Sequence, residues 1–166
     1  MSSPARVTVS APRWAGPASL VLAVLGVAVS AYLTVEHYSS STTLACPDTG
    51  VVDCVKVTTS SYAELLGIPV ALLGLLYFVA TAALCLPAAW SSTRAWVHRA
   101  RLAVVSVGAV FVLYLVWVEL FRVDAICLWC TAVHVITFVL WIVVLFGQIL
   151  SQPASGEATA DVVDAA

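Results

Sequence analysis

Charge is what this sequence has least of. Of 166 residues only seven are Lys or Arg and nine Asp or Glu, a charged fraction of 10% and a formal net charge of −2. Ordinary soluble domains carry about 25% charged residues, so this chain cannot clothe a water-facing surface in the usual way. The basic residues are scattered and form no stripe that would follow a phosphate backbone, which excludes a nucleic-acid partner. There is no internal repeat, and low-complexity composition is confined to the ends. What is present is apolar: 62% of residues are hydrophobic and the mean hydropathy is +1.05. The fold class expected is an all-α integral membrane protein. A single domain over 1–166 suits a four-transmembrane-helix bundle with one extracytoplasmic loop and a short interfacial helix.

Residues 1 to about 14 carry Pro4, Arg6, Pro12 and Arg13 and read as a polar lead. The first span is expected over about 16–35. A signal peptide is the rival reading, because Ala28-Val29-Ser30 before Ala31 resembles a small-x-small cleavage site. The apolar run nevertheless continues to Val35, about the ~20 residues that a spanning helix needs. Glu36 to Gly67 is the only long polar connection. Within it, Ser61-Tyr62-Ala63-Glu64 has the spacing of a capping box and predicts a short helix stopped by Gly67. Pro69 then opens the second span, about 68–86, and Pro87 closes it. Trp90, Arg94, Trp96, His98, Arg99 and Arg101 make an aromatic, basic interfacial connection. The third span is expected over about 102–121 and the fourth over about 127–150. The small-residue tail, 151–166, has the composition of a disordered segment.

Arg6, Arg13, Arg94, Arg99 and Arg101 fall on one side of this layout, and Lys56 and Arg122 on the other. The richer side is cytoplasmic by the positive-inside bias, so both termini are expected inside the cytoplasmic (inner) membrane. Cys46, Cys54, Cys127 and Cys130 then all lie on the extracytoplasmic side, where disulfides persist.

These four residues are the candidate chemistry. Cys127-Leu128-Trp129-Cys130 places two sulfurs on one face at the mouth of a helix, where the dipole stabilises a thiolate. Cys46 and Cys54, with seven residues between them in a loop containing Pro47, Asp48, Gly50 and Asp53, can close as a structural disulfide or serve as an exchangeable pair. Four thiolates can also bind zinc, although the long C-x7-C spacing is unusual for a structural site, and no metal ligand is assigned. Two dithiols on one side suggest a relay through a mixed disulfide, with Cys54 contacting the helix pair and Cys46 meeting an external partner. Cys130, one turn deeper, would face a lipid-soluble acceptor such as a quinone.

His134 continues the face of Cys127 and Cys130 at i, i+3, i+7 and is positioned to hydrogen-bond or protonate a quinone oxygen; a histidine satisfied by a neighbouring helix is the competing reading. Tyr114, Glu119, Ser60 and Ser61 are further polar groups near the outer side. For Glu119 an i, i+3 pair with Arg122 competes with a role in the site. Cys85 reads as a small buried residue, and Trp14, Trp90, Trp96 and Trp129 as interfacial anchors, although Trp129 between the paired cysteines could equally contact a ligand.

The order C-x7-C, then Ser60, then Leu66-Gly67-Ile68-Pro69-Val70-Ala71-Leu72-Leu73-Gly74, then Cys127-Leu128-Trp129-Cys130, resembles the vitamin K epoxide reductase family and in particular its bacterial branch. The stretch from Tyr114 and Glu119 to Cys127 is also similar. The DsbB-type quinone reductases share four spans and two cysteine pairs but carry the C-x-x-C first. The resemblance implies a bundle around a quinone of menaquinone or vitamin K type, with Cys46 and Cys54 as the shuttle pair and Cys127 and Cys130 as the redox-active pair. It also implies an internal Cys54–Cys127 relay disulfide and reaction of Cys130 with the quinone. Ser60 matches a serine near the family site. Val70 stands where the animal enzymes hold the quinone with asparagine, and His134 stands where they have tyrosine. His134 is expected to take over part of that contact. With no fused thioredoxin-like domain in sight, a separate DsbA-like thioredoxin-fold protein is the expected partner. The function expected is a membrane thiol:quinone oxidoreductase that supports disulfide formation. Reduction of a quinone or its epoxide as the main activity, or a non-catalytic scaffold, are the alternatives.

Overall fold

The computed structural model describes residues 12–39, 45–46 and 49–151. The start of the polar lead, Pro47 and Asp48 of the loop, and the tail from 152 onward lie outside the described residues.

The long elements form where apolar residues run without a breaker. Helix α1 covers Ala15–Tyr38; Pro17 falls in its first turn, where the missing N–H belongs to donors that have no intrahelical partner anyway. Helix α3 covers Val70–Leu84, α5 covers Ala95–Val118, and α6 covers Leu128–Ile149. A π-helical turn, Glu119–Val123, extends α5. Ala15–Tyr38, Ala95–Val123 and Leu128–Ile149 are each long and apolar enough to cross a membrane. The protein is a mostly helical membrane protein. Helix α3 is apolar but has only 15 residues, about 22 Å of helix against a hydrocarbon core of about 30 Å.

Helix α1 packs against α3 and α6, and α5 packs against α6 and α3. Gly26 of α1 allows the close approach of α3, because a Cβ there would collide with the Phe78 ring. The main core cluster contains Ala23, Phe78, Val105 and Leu140 and continues to Ala15, Cys85, Trp90 and Val144 at one end of the bundle. A second cluster, around Cys54 and Cys127, closes the opposite end.

Two local expectations are corrected. The segment Ser61–Glu64 forms no helix. Glu64–Leu65 (β1) pairs antiparallel with Ile68–Pro69 (β2) in a small hairpin. Leu66 (φ 55°) and Gly67 (φ 79°) both take the left-handed conformation that a tight two-residue hairpin turn demands. Pro69 is the reason: it lacks an N–H and biases Ile68 toward extended backbone, so a helix capped at Ser61 has no room to propagate. The short helix lies earlier, as α2 over Cys54–Thr58, capped by Asp53 Oδ1, which accepts from the Lys56 N–H at 2.8 Å.

The third long helix begins at Ala95, not near Leu102, after a four-residue helix α4, Pro87–Trp90. Arg101 is therefore inside α5 and fully buried instead of lying in an interfacial connection. Its Nε donates to the Leu84 carbonyl oxygen at 2.8 Å, satisfying an acceptor in the last turn of α3. Its guanidinium lies 3.9 Å from the centre of the Trp90 ring.

Candidate functional site: two cysteine pairs over an apolar cavity

The site is assembled by backbone pairing between the loop and the residues just before α6. Val52 and Ile126 form an isolated parallel bridge. The Ile126 N–H donates to Val51 O at 2.9 Å, and the Asp53 N–H donates to Ile126 O at 3.1 Å. Cys54 follows Val52 by two residues and Cys127 follows Ile126 by one, so this bridge carries the two cysteines into one buried cluster with Val57, Val118, Val123 and Ala125. Cys54 is joined to Cys46 by a disulfide. Two of the four sulfurs that a zinc clip would need are thus bonded to each other.

The far side of the loop is held by Trp129. Its Nε1–H donates to Ala45 O at 3.2 Å, and its ring lies 4.9 Å from that of Tyr32. Trp129 thereby clamps the chain next to Cys46. Lys56 Nζ donates to Asp124 O at 3.4 Å and steadies the turn into α6, where Asp124 takes a left-handed conformation (φ 51°).

The helix pair is asymmetric. Cys127 is the N-cap of α6, fully buried, and its Sγ accepts from the Cys130 N–H at 3.2 Å. Hydrogen bonding from the Cys130 thiol, reinforced by the Cys130 and Trp129 backbone N–H groups, holds the Cys127 thiol below the ordinary cysteine value. Burial and the Glu119 carboxylate oppose that effect. Cys130 is partly exposed and borders a cavity of about 350 Å³. That volume falls in the range of small-molecule sites, roughly 300–1,000 Å³. The walls are mainly apolar side chains of α1, α3, α5 and α6, with Ser60, Glu119 and His134 among the few polar groups.

The Vitamin K epoxide reductase family model matches residues 17–145. The chain belongs to the vitamin K epoxide reductase family. Membership makes it an oxidoreductase linked to quinones. The cavity suits a quinone ring: it is apolar, has a sulfur at one wall, and has polar atoms at a few points only.

The other residues singled out in the sequence fall in different places. Val70 lines the cavity without a polar atom to offer. Ser60 lines it too, with its hydroxyl donating to Val57 O at 2.8 Å. His134 is only 6% exposed, borders the cavity, and has no hydrogen-bond partner among the described residues, so no neighbouring helix satisfies it. Glu119 is buried at the cavity wall and turned away from Arg122, whose guanidinium lies 5.3 Å from the Trp117 ring centre. The anticipated Glu119–Arg122 pair does not form, because the π-turn changes the face that each residue presents. Tyr114 is not brought to the cavity: it is 45% exposed and stacks between Phe111 and Trp117 on the outside of α5. Sequence reasoning missed His37, Tyr62, Tyr77 and Thr137, all of which line the cavity. His37 Nε2 stands 3.6 Å from Glu64 Oε1, a pairing created by the hairpin. Its one visible signal was an ionisable residue at the end of an apolar run.

Proposed function

We propose that the protein is a thiol:quinone oxidoreductase that passes electrons from a thioredoxin-fold, DsbA-like partner through Cys46–Cys54 and Cys127–Cys130 to a quinone of menaquinone type. One observation carries this reading: Cys127 is buried against the loop disulfide at Cys54, whereas Cys130 borders the apolar cavity. The two sulfurs of one motif thereby face the two ends of a relay.

The partner dithiol reduces Cys46–Cys54 through a mixed disulfide at Cys46. Cys54 then exchanges with Cys127, and the reduced helix pair delivers two electrons at Cys130. A low value suits Cys127 as the thiolate released when Cys46 resolves the Cys54–Cys127 disulfide. His134 hydrogen-bonds to a quinone oxygen, and Ser60 and Val70 shape the wall around it. A respiratory chain keeps its quinones oxidised, so flow runs from the partner to the quinone and new disulfides appear in exported proteins. In this reading α3 is the fourth crossing beside the three longer helices. Both termini are cytoplasmic, the side of Arg94 and Arg99, and the cysteine end faces outward.

Quinol formation by wild type and Cys130→Ser in the same membranes, supplied with a reduced thioredoxin-fold protein, tests the proposal. Wild type forms quinol. Cys130→Ser forms none and accumulates a Cys54–Cys127 disulfide on thiol trapping. Absence of quinol in the wild-type membranes would sink the reading.

A further inference from the structure

Oxidising a dithiol with a quinone moves protons as well as electrons, and the relay above leaves their path unassigned. Forming one S–S bond between Cys127 and Cys130 breaks two S–H bonds. Two electrons and two protons must reach the acceptor, whose two carbonyl oxygens become hydroxyls.

Glu119 is placed at the meeting point of these events. It is 7% exposed, and its carboxyl lies within electrostatic reach of the Cys127 backbone N–H. It borders the same cavity as Cys130 and His134. The π-helical turn that begins at this residue breaks the α5 register and points the side chain inward, while Arg122, three residues on, stacks outward over Trp117. π-turns of this kind occur often at functional positions. Among the described residues no cation lies within ion-pair distance of Glu119. The ionisable groups near it are Cys127, Cys130 and His134 around α6, with His37 across the cavity beside Glu64. From α2, Cys54 is tied in its disulfide and Lys56 donates to Asp124 O. An isolated carboxyl inside a span is costly, and such residues generally serve transport or transfer of charge. A glutamine would fill the same space and turn the same acceptor toward the Cys127 N–H, so packing alone does not call for an acid.

Resting on the quinone reading above, we propose that Glu119 is the proton-transfer group of the helix pair, accepting the Cys130 proton and delivering it to one quinone oxygen. It ends each turnover in the state in which it began. The second proton reaches the other oxygen by way of His134, which borders the same cavity.

Glu119→Gln keeps the size and the hydrogen-bond acceptor but cannot carry a proton. At neutral pH its kcat for quinone reduction falls by about 10²-fold or more, the scale of general acid–base catalysis. The KM for the quinone stays within a factor of about two, since binding is not the function removed. The wild-type pH dependence of kcat flattens, and Glu119→Asp restores part of the rate. A second readout uses no quinone: infrared difference spectra of the protein with the Cys127–Cys130 pair reduced and oxidised. A carboxyl C=O band that changes with the redox state of the pair is expected in wild type and absent in Glu119→Gln. An unchanged kcat–pH profile in Glu119→Gln, or spectra identical to wild type, overturns the assignment. Wild type that makes no quinol but shows the carboxyl band would remove the quinone and leave Glu119 coupled to the thiols.

Discussion

Trp129 and Trp90 each donate an indole N–H at 3.2 Å, at opposite ends of the helices, and the two ends use similar parts to different effect. Trp90 donates to Ser19 Oγ, supports the Arg101 guanidinium on its ring, and packs in the cluster that buries Cys85 completely. Charge, indole and sulfur there fill space. At the other end Trp129 reaches across to Ala45, the ionisable Glu119 borders a cavity, and the sulfurs come in two pairs packed against each other. Cys85 is enclosed by complete packing, whereas Cys127 has a second sulfur beside it and Cys130 has an opening, which is what the proposed relay uses.

Exchanging the cysteines should break this comparison most sharply. Cys127→Ala is expected to lower quinone reduction by more than about 10³-fold, because removing a covalent participant leaves no parallel route. Cys85→Ala should leave the rate within about twofold, with a stability loss on the order of 1 kcal/mol from the vacated volume. Quinol formation and thermal unfolding in the same detergent measure both. Equal activity losses at the two sites would abolish the distinction.

Next in size is the pH response of Cys127. A thiol held below its ordinary value is more fully thiolate at a given pH, so alkylation of reduced Cys127 should persist to lower pH than for an ordinary cysteine. Cys130→Ala removes the leading cause, the hydrogen bond from the Cys130 thiol, and should move the midpoint of the alkylation profile upward. An unmoved midpoint would show that the helix terminus, not the pair, sets the reactivity.

The smallest effects sharpen the comparison. Trp129→Phe and Trp90→Phe each delete one indole hydrogen bond of about 1 kcal/mol. Trp90→Phe should lower the unfolding midpoint by about 2–4 °C and leave the loop untouched. Trp129→Phe should change that midpoint little but speed reduction of Cys46–Cys54 by a soluble dithiol several-fold. Matching responses at the two tryptophans would mean that Trp129 is packing alone.

Much of the fold was legible because lipid imposes a simple demand: a long apolar run must satisfy its own backbone, and helix does so. The three longest helices lie where hydropathy puts them. The boundaries that moved did so for non-local reasons. Arg101 reads as interfacial until Leu84 O and the Trp90 ring supply it with a buried environment, and these partners lie 17 and 11 residues earlier in the chain. The capping box at Ser61 was a real local signal, but the paired extended segment around Gly67 and Pro69 took precedence. Of the site, the two cysteine pairs and the line from Cys130 to His134 were visible as spacing. His37, Tyr62, Tyr77 and Thr137 were not, since nothing in their local pattern reports which face will border a cavity. Tyr114 shows the converse: adjacent to the motif in sequence, it faces outward.

The sequence by itself determined that this chain enters a membrane, which segments are helical there, and that its cysteines form two sets of different spacing. Those properties follow from composition and from short-range periodicity, to which solvent and backbone respond without tertiary help. Only the tertiary structure decided which sulfurs share one buried cluster and which borders the cavity. The Val52–Ile126 bridge brings Cys54 to Cys127, the start of α6 sends Cys130 one turn on to the cavity, and the π-turn swings Glu119 inward. Each depends on contacts between segments far apart in the chain, and their geometry is settled only when the helices pack.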